Sequence, residues 1–103
     1  MKIRAKNGEQ TVDITLPATD MDIQYCMKCI GIEDIVPVCC ISEVWDEPSY
    51  FGFLKGQTVS MDELNFLARR LDGMTEYEKR VVGVYSSETG IREMKQLINL
   101  TYS

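Results

Sequence analysis

Residues 3–17, "IRAKNGEQTVDITLP", hold two β-prone runs around an Asn-Gly pair, and they decide how the fold begins. Asn-Gly between such runs is a strong signal for a short β-hairpin, because both turn positions are then expected to need a positive φ. Val12, Ile14 and Leu16 alternate with polar residues, so one face of the second strand is expected to be buried. Pro17 is expected to end that strand.

A helix is predicted next, with Thr19 as its N-cap and Gly31 as its C-terminal stop. Its apolar stripe has helical spacing and consists of Ile23, Cys26, Met27 and Ile30. The β-branched run over residues 34–45 predicts a long strand, in which Pro37 is expected at an edge or a bulge. Residues 50–54, "YFGFL", are a candidate for a fourth, short strand.

The remainder of the chain predicts helices. Ser60 with Glu63, and Thr75 with Glu78, have the spacing of capping boxes. The predicted inward-facing residues are Leu64, Leu67, Ala68 and Leu71 in the first helix, Tyr77, Val81, Val84 and Tyr85 in the second, and Ile91, Met94, Leu97 and Ile98 in the third.

Together these elements predict an α+β fold, in which a small antiparallel sheet with one packed helix is followed by a lobe of short helices. We expect a ββαβ(β) N-terminal subdomain over residues 1–58 and a helical subdomain over residues 59–103.

The composition limits the function. The chain has 103 residues, 45% of them hydrophobic, and a formal net charge of −5. No apolar run approaches a membrane span and no secretory signal is evident, so we expect a cytoplasmic protein without a membrane partner. Clustered basic residues are missing, which argues against direct nucleic-acid binding. The absence of histidine removes the commonest general base, so we expect no enzyme.

All four cysteines lie between residues 26 and 40 and suggest half of a zinc site. However, Cys26 and Cys29 fall in the predicted helix, whereas zinc knuckles lie on turns. Cys39 and Cys40 are adjacent in the predicted strand, so their side chains should point to opposite faces. We therefore expect reduced thiols in or near the core, and no metal or other cofactor.

Two motifs in the second half resemble a known family. Residues 60–78, "SMDELNFLARRLDGMTEYE", and residues 94–103, "MKQLINLTYS", resemble the ArdA-type antirestriction proteins of mobile elements, in the form found in Gram-positive bacteria. In the first half, "ITLP" at 14–17, "IG" at 30–31 and "ISE" at 41–43 are similar as well. The resemblance is strongest at Glu63 to Leu71 and at Leu97 to Thr101.

The resemblance implies a non-catalytic, acidic protein that mimics DNA and acts inside a bacterial host cell. Such a protein occupies the basic nucleic-acid-binding groove of a host defence enzyme, here a type I restriction–modification enzyme. Alternatively, a protein of the same fold inhibits a CRISPR effector nuclease. A further alternative is an accessory protein of a mobile element that inhibits no enzyme. A thiol-dependent or zinc-bound enzyme or regulator is a third possibility, and the sequence leaves a homodimer open.

The middle of the chain is the predicted partner-binding region. Between residues 31 and 59 the carboxylates are opposed by Lys55 alone. Aromatic residues beside them could anchor a basic groove while the acids steer association. The predicted partner-binding residues are Glu33, Asp34, Glu43, Trp45, Asp46, Glu47 and Tyr50. Alternatively, Trp45, Tyr50 and Phe51 belong to the core and the acids only solvate a loop.

Overall fold

The computed structural model describes residues 1–45, 50–90 and 93–102. The elements in chain order are β1 (Lys2–Asn7), β2 (Gln10–Thr15), α1 (Asp20–Cys29), β3 (Val38–Trp45), β4 (Thr58–Ser60), α2 (Met61–Asp72), α3 (Glu76–Thr89) and α4 (Met94–Leu100). The strands form one antiparallel sheet in the order β2-β1-β3-β4, which confirms the α+β class. Within the described ranges, no helix is long and apolar enough to cross a membrane.

The hairpin lies where the Asn-Gly pair predicted it, but the turn positions differ. Asn7 pairs with Gln10, so Gly8 and Glu9 are the central turn residues. In this turn, Gly8 has a positive φ of 63°, whereas Asn7 and Glu9 do not, so the expectation that Asn7 would adopt one was wrong. The Asn7 side chain instead donates to the Ile30 carbonyl oxygen at 2.8 Å. This hydrogen bond ties the hairpin to the end of α1.

The third strand is shorter than predicted. It begins at Val38, so Pro37 lies just before it and not at an edge or bulge within it. The Pro37 carbonyl oxygen accepts from the Met61 backbone N–H at 2.9 Å. The bulge in β3 is at Ser42, because Glu43 pairs with Arg4 and Ile41 pairs with the next residue of β1.

Residues 50–54 do not form the fourth strand. Gly52–Leu54 is a short 3₁₀ helix, and the fourth strand is β4. Phe51 and Leu54 are both buried. Residues three apart lie on one side of a helical turn but on opposite faces of a strand, so burying both selects the turn.

One continuous core joins the sheet to the helices. Its fully buried large side chains are Ile3, Leu16, Ile23, Met27, Ile30, Ile41, Leu54, Met61, Leu64, Leu67 and Leu97. They come from both sides of the predicted subdomain boundary at residues 58 and 59, a boundary that falls inside β4. The division into subdomains stays a prediction.

Helix α3 is rotated relative to the prediction. The residues predicted to face inward are exposed by 75% at Tyr77, 49% at Val81, 41% at Val84 and 52% at Tyr85. Its buried residues are Val82, Gly83 and Ser86. A Cβ placed on Gly83 would lie only 2.6 Å from the Cβ of Tyr50, so glycine lets the helix approach the chain closely. The Ser86 hydroxyl donates to the Val82 carbonyl oxygen at 2.7 Å, which makes its burial acceptable.

Candidate functional site: an acidic groove beside an exposed isoleucine

The loop between α1 and β3 presents an apolar side chain to solvent between acids. Ile35 is 95% exposed and follows Glu33 and Asp34, which are also exposed. The loop is fixed on both sides by buried residues. Ile32 donates its backbone N–H to the Met27 carbonyl oxygen at 2.9 Å, and the Pro37 carbonyl accepts from α2 as described above. Residues 33–36 therefore project from the surface.

A groove between α1 and α2 lies next to this loop. Its volume is about 290 Å³, and Asp20, Ile35, Asp62 and Phe66 are among its lining residues. Phe66 is 43% exposed, although it belongs to a helix whose other large apolar residues are buried. Carboxylates thus stand beside apolar side chains that are open to solvent, which is typical of a protein-binding surface.

A buried asparagine holds the two helices that form the groove. The Asn65 side chain, 3% exposed, accepts from the Ala18 backbone N–H at 2.9 Å and donates to the Ala18 carbonyl oxygen at 3.0 Å. Arg69 also donates to that carbonyl oxygen, at 3.2 Å. These contacts fix the start of α1 against α2, so the first-turn acid Asp20 and the first-turn acid Asp62 lie along one groove.

The groove continues on both sides. A hollow of about 210 Å³ shares Ile35 with it and adds Glu33 and Asp34. A shallower hollow of about 460 Å³ shares Asp62 and Phe66 with it. The name acidic groove is used below for the surface formed by Asp20, Glu33, Asp34, Ile35, Asp62 and Phe66.

The structure separates the partner-binding residues predicted from the sequence. Glu33 and Asp34 precede β3, whereas Glu43 and Trp45 lie at its end. A strand of eight residues spans roughly 25 Å. The two groups therefore lie at opposite ends of the sheet and form no single cluster. Asp46 and Glu47 lie outside the described residues.

The far end of β3 carries ion-paired charges of both signs. A carboxylate oxygen of Glu43 is 3.0 Å from the Nζ of Lys55. Lys55, the single cation between residues 31 and 59, is therefore paired with one of the acids of that region. Trp45 is 41% exposed, and the charged groups of Lys2 and Arg4 lie 5.3 and 5.1 Å from its ring centre. The exposed tryptophan thus packs against two cations from β1, and one of them, Arg4, is paired with the Asp13 carboxylate at 2.7 Å.

The aromatic residues that follow belong mainly to the interior. Phe51 is 3% exposed, and its ring centre is 6.0 Å from that of Phe53. Tyr50 is half-buried, and its backbone and Cβ face Gly83 of α3. The alternative prediction placed Trp45, Tyr50 and Phe51 in the core. Phe51 is in the core, Tyr50 is partly buried, and Trp45 is exposed.

Sequence reasoning missed four members of the acidic groove. Asp20 and Asp62 stand in the first turn of a helix, where a carboxylate is expected for its effect on the helix dipole. Ile35 was placed inside the predicted strand, and Phe66 falls between the stripe residues of α2. The acidic first turns were visible in the sequence, but the hydrogen bonds that bring them together were not.

The cysteines lie on the elements that the sequence predicted, but Cys29 is exposed, so the expectation that all four thiols lie in or near the core was wrong for that residue. Cys26 and Cys29 lie on α1, and Cys39 and Cys40 are neighbours in β3, with Cys39 buried and Cys40 half-buried on the other face. Burial raises the pKa of the Cys39 thiol to about 11 and also raises that of Cys26. In the part of the chain that the structure describes, no three histidine, cysteine or acidic side chains are grouped to hold a metal ion.

Comparison with protein-family models, curated proteins and solved structures found no match to this chain. The likeness to ArdA-type proteins therefore rests on the sequence motifs alone and remains a hypothesis. What the structure adds is a surface, the acidic groove, against which that hypothesis can be tested.

Proposed function

We propose that this protein is a non-catalytic anti-defence protein whose acidic groove binds the basic nucleic-acid-binding groove of a type I restriction–modification enzyme. The observation that carries the proposal is Ile35, 95% exposed, which stands between the carboxylates of Glu33 and Asp34 and the hollow that Asp62 lines. The motif likeness to ArdA-type proteins supplies the class of target.

The charge of the acidic groove suits a cationic partner. Its two hollows between α1, the loop and α2 are lined by the carboxylates of Asp20, Glu33, Asp34 and Asp62 and by the cations of Lys28 and Arg69. Carboxylates therefore outnumber cations two to one, and Arg69 also donates to a backbone oxygen. A groove that binds the phosphates of DNA presents Lys and Arg, which attract such a surface and accelerate association.

The apolar residues of the acidic groove are expected to lengthen the lifetime of the complex, which charge alone does little to change. Exposed carboxylates on a rim change the rate of association more than the stability of the complex. A side chain that fills a pocket in the partner contributes more to the lifetime of the complex. Ile35, with Phe66 beside it, is placed to do this, because neither side chain is used by the core of its own chain.

A charge reversal tests the proposal. The double variant Glu33→Lys with Asp34→Lys reverses the acids beside Ile35, and it should weaken inhibition of DNA cleavage by a purified type I enzyme by about tenfold or more. The matched control is Glu9→Lys with Asp72→Lys, which changes the net charge equally at exposed positions outside the acidic groove. Equal loss in both variants would show that only net charge matters and would contradict the assignment of the groove.

The apolar anchor is tested separately. Ile35→Ser should shorten the lifetime of the complex without changing the thermal stability of the free protein, because the side chain is 95% exposed. The same assays with a CRISPR effector nuclease would identify that class as the target if it alone is inhibited. Inhibition of neither enzyme class would overturn the proposal.

A further inference from the structure

Helix α1 carries two cysteines in its last turn, and at least part of each residue is open to solvent. Cys26 is half-buried, and Cys29, the last residue of the helix, is exposed. Residues three apart on a helix are neighbours on its surface, and their Cα atoms are about 5 Å apart. The Cα atoms of a disulfide are usually roughly 4.4–6.8 Å apart, so the backbone of α1 places these two cysteines within bonding range.

The other two cysteines are not placed to pair with each other. Cys39 is buried, and Cys40, its neighbour in β3, points to the opposite face of the sheet. The pKa of Cys26 is raised first by burial and next by the Cys29 thiol, which shows that these two sulfur atoms lie near each other. The dithiol of α1 is therefore the pair that the fold brings together.

We propose that Cys26 and Cys29 form a reversible disulfide at the end of α1 when the protein meets a small-molecule disulfide such as oxidised glutathione. Cys29 loses its proton, and its sulfur attacks one sulfur of the small disulfide, whose S–S bond breaks and releases a thiolate. Cys26 then loses its proton, and its sulfur attacks the sulfur of Cys29 and releases a second thiolate. The two thiolates take up the two protons. The cysteines are thus oxidised by two electrons, and the small disulfide is reduced to two thiols.

The order of attack follows from the exposure of the two thiols. A thiolate is the attacking species, and burial raises the pKa of Cys26, so that its thiolate is the rarer of the two in neutral solution. The exposed Cys29 is also open to a molecule of the size of glutathione. Once the mixed disulfide has formed on Cys29, Cys26 needs no access to solvent, because its target is on the neighbouring residue of the helix surface.

The disulfide requires the last turn of α1 to tighten. The Cβ atoms of residues three apart on a helix are about 5–6 Å apart, whereas those of a disulfide are about 3.8 Å apart. The backbone N–H of Ile32 donates to the Met27 carbonyl oxygen at 2.9 Å across this end of the helix. Closing the disulfide should therefore disturb that hydrogen bond, and a disulfide under such strain is easily reduced again.

The same turn supports part of the acidic groove. Met27 lines the hollow of about 210 Å³ that also contains Glu33 and Asp34. Through its carbonyl oxygen, Met27 also holds Ile32 at the start of the loop that carries these acids. Oxidation should therefore change the position of the loop. This change is structural and is measured on the free protein, so a failure of the proposed inhibition leaves it standing.

Equilibration of the full chain in glutathione buffers of increasing oxidised fraction tests the disulfide. Free thiols are then blocked with N-ethylmaleimide in denaturant and counted by intact mass. The wild type should take up two fewer N-ethylmaleimide groups than the fully reduced protein, with no glutathione attached. Because Lys28 lies between the two cysteines, trypsin should release two peptides that the disulfide joins.

Single variants identify the two partners and their order. Cys29→Ser should abolish the intramolecular disulfide. Cys26→Ser and Cys26→Ala should abolish it too, but each should accumulate one glutathione at Cys29, at least tenfold more than Cys29→Ser accumulates. Cys40→Ser is the matched control and should oxidise as the wild type does. An intramolecular disulfide that persists in Cys29→Ser, or a wild type that holds only free thiols and mixed disulfides, would overturn the proposal.

Hydrogen exchange measures the effect on the loop. The backbone N–H of Ile32 should exchange at least tenfold faster in the oxidised protein than in the reduced protein, because its hydrogen bond to Met27 is disturbed. Cys40→Ser should show the same acceleration under oxidising conditions, and Cys26→Ala should show none. Equal protection of Ile32 in the two redox states would overturn the inference that the disulfide acts on the loop.

Discussion

Replacing Gly83 with alanine tests which face of α3 points inward. The added Cβ would lie 2.6 Å from the Cβ of Tyr50 and 2.8 Å from its carbonyl oxygen. These are contacts with a Cβ and with backbone, so a side-chain rotation does not relieve them. Overpacking of this kind costs about 1–3 kcal/mol, with the upper half expected here. Alanine gains about 1 kcal/mol over glycine in a helix interior, so we expect a net destabilisation of about 1–2 kcal/mol.

The sign of the change distinguishes the two orientations of α3. If Tyr77, Val81, Val84 and Tyr85 faced inward, as the sequence predicted, Gly83 would face solvent and alanine would stabilise the protein by about 1 kcal/mol. Equilibrium urea denaturation measures the difference directly. Gly73→Ala is the control, because a Cβ there meets nothing closer than 3.8 Å, and it should change stability by less than about 0.5 kcal/mol. An increase in stability for Gly83→Ala would refute the packing of α3 described here.

Further predictions concern three residues of the interior. Leu67→Ala, at a position with 0% exposure, should lower the free energy of unfolding by about 2–5 kcal/mol in the same denaturation assay; an unchanged midpoint would show that the stripe of α2 is misplaced. Asn65→Ala should cost about 1–3 kcal/mol, because it leaves the Ala18 N–H without its acceptor and the Ala18 carbonyl oxygen with Arg69 alone, and a loss below 1 kcal/mol would mean that this clamp is not structural. Cys39, with a pKa raised to about 11 from 9.0, should resist alkylation at pH 8 while the exposed Cys29 reacts. Because the folded pKa is the higher one, the contribution of Cys39 to stability is present below pH 9 and should be lost as the pH rises towards 11, which a pH series of melting curves measures.

Local chemistry was enough to predict where α1, α2 and α3 begin. Thr19 accepts from the backbone N–H of Asp22, and Thr75 and Glu78 form the complete capping box that their spacing predicted. Ser60 accepts from the backbone N–H of Glu63 at 3.4 Å, but the reciprocal bond of the Glu63 side chain is not made, so only half of the capping box predicted for α2 is present. Each of these contacts joins residues three apart, so the sequence alone contains the information.

The orientation of α3 could not be predicted in the same way. Both sides of this helix carry residues suited to a core, and the larger ones, Tyr77 and Tyr85, face solvent. The inner side is selected by the close approach of Gly83 to Tyr50, a contact between residues distant in the chain. The spacing of hydrophobic residues locates a face of large apolar side chains. The packing of α3 depends instead on a glycine, which has no side chain.

The acidic groove was predictable only in part. Glu33 and Asp34 were identified from the excess of negative charge in the middle of the chain, and both are exposed beside the groove. Their partners Asp20 and Asp62 come from distant segments, joined through Asn65. The same excess of charge also pointed to Glu43, which is paired with Lys55 at the other end of the sheet. A count of charges along the sequence does not show which of them share a face.

Competition with DNA is the most direct measurement of the proposed function. Labelled duplex DNA bound to a type I restriction–modification enzyme should be released by the wild-type protein at about one copy per DNA-binding groove. The affinity of this protein for the enzyme should fall as the salt concentration rises, since its carboxylates bind the same cations that bind the phosphates of DNA. The Glu33→Lys, Asp34→Lys double variant should release DNA about tenfold less effectively than the Glu9→Lys, Asp72→Lys control. Formation of a ternary complex, with the DNA still bound while this protein is bound, would contradict occupation of the DNA-binding groove.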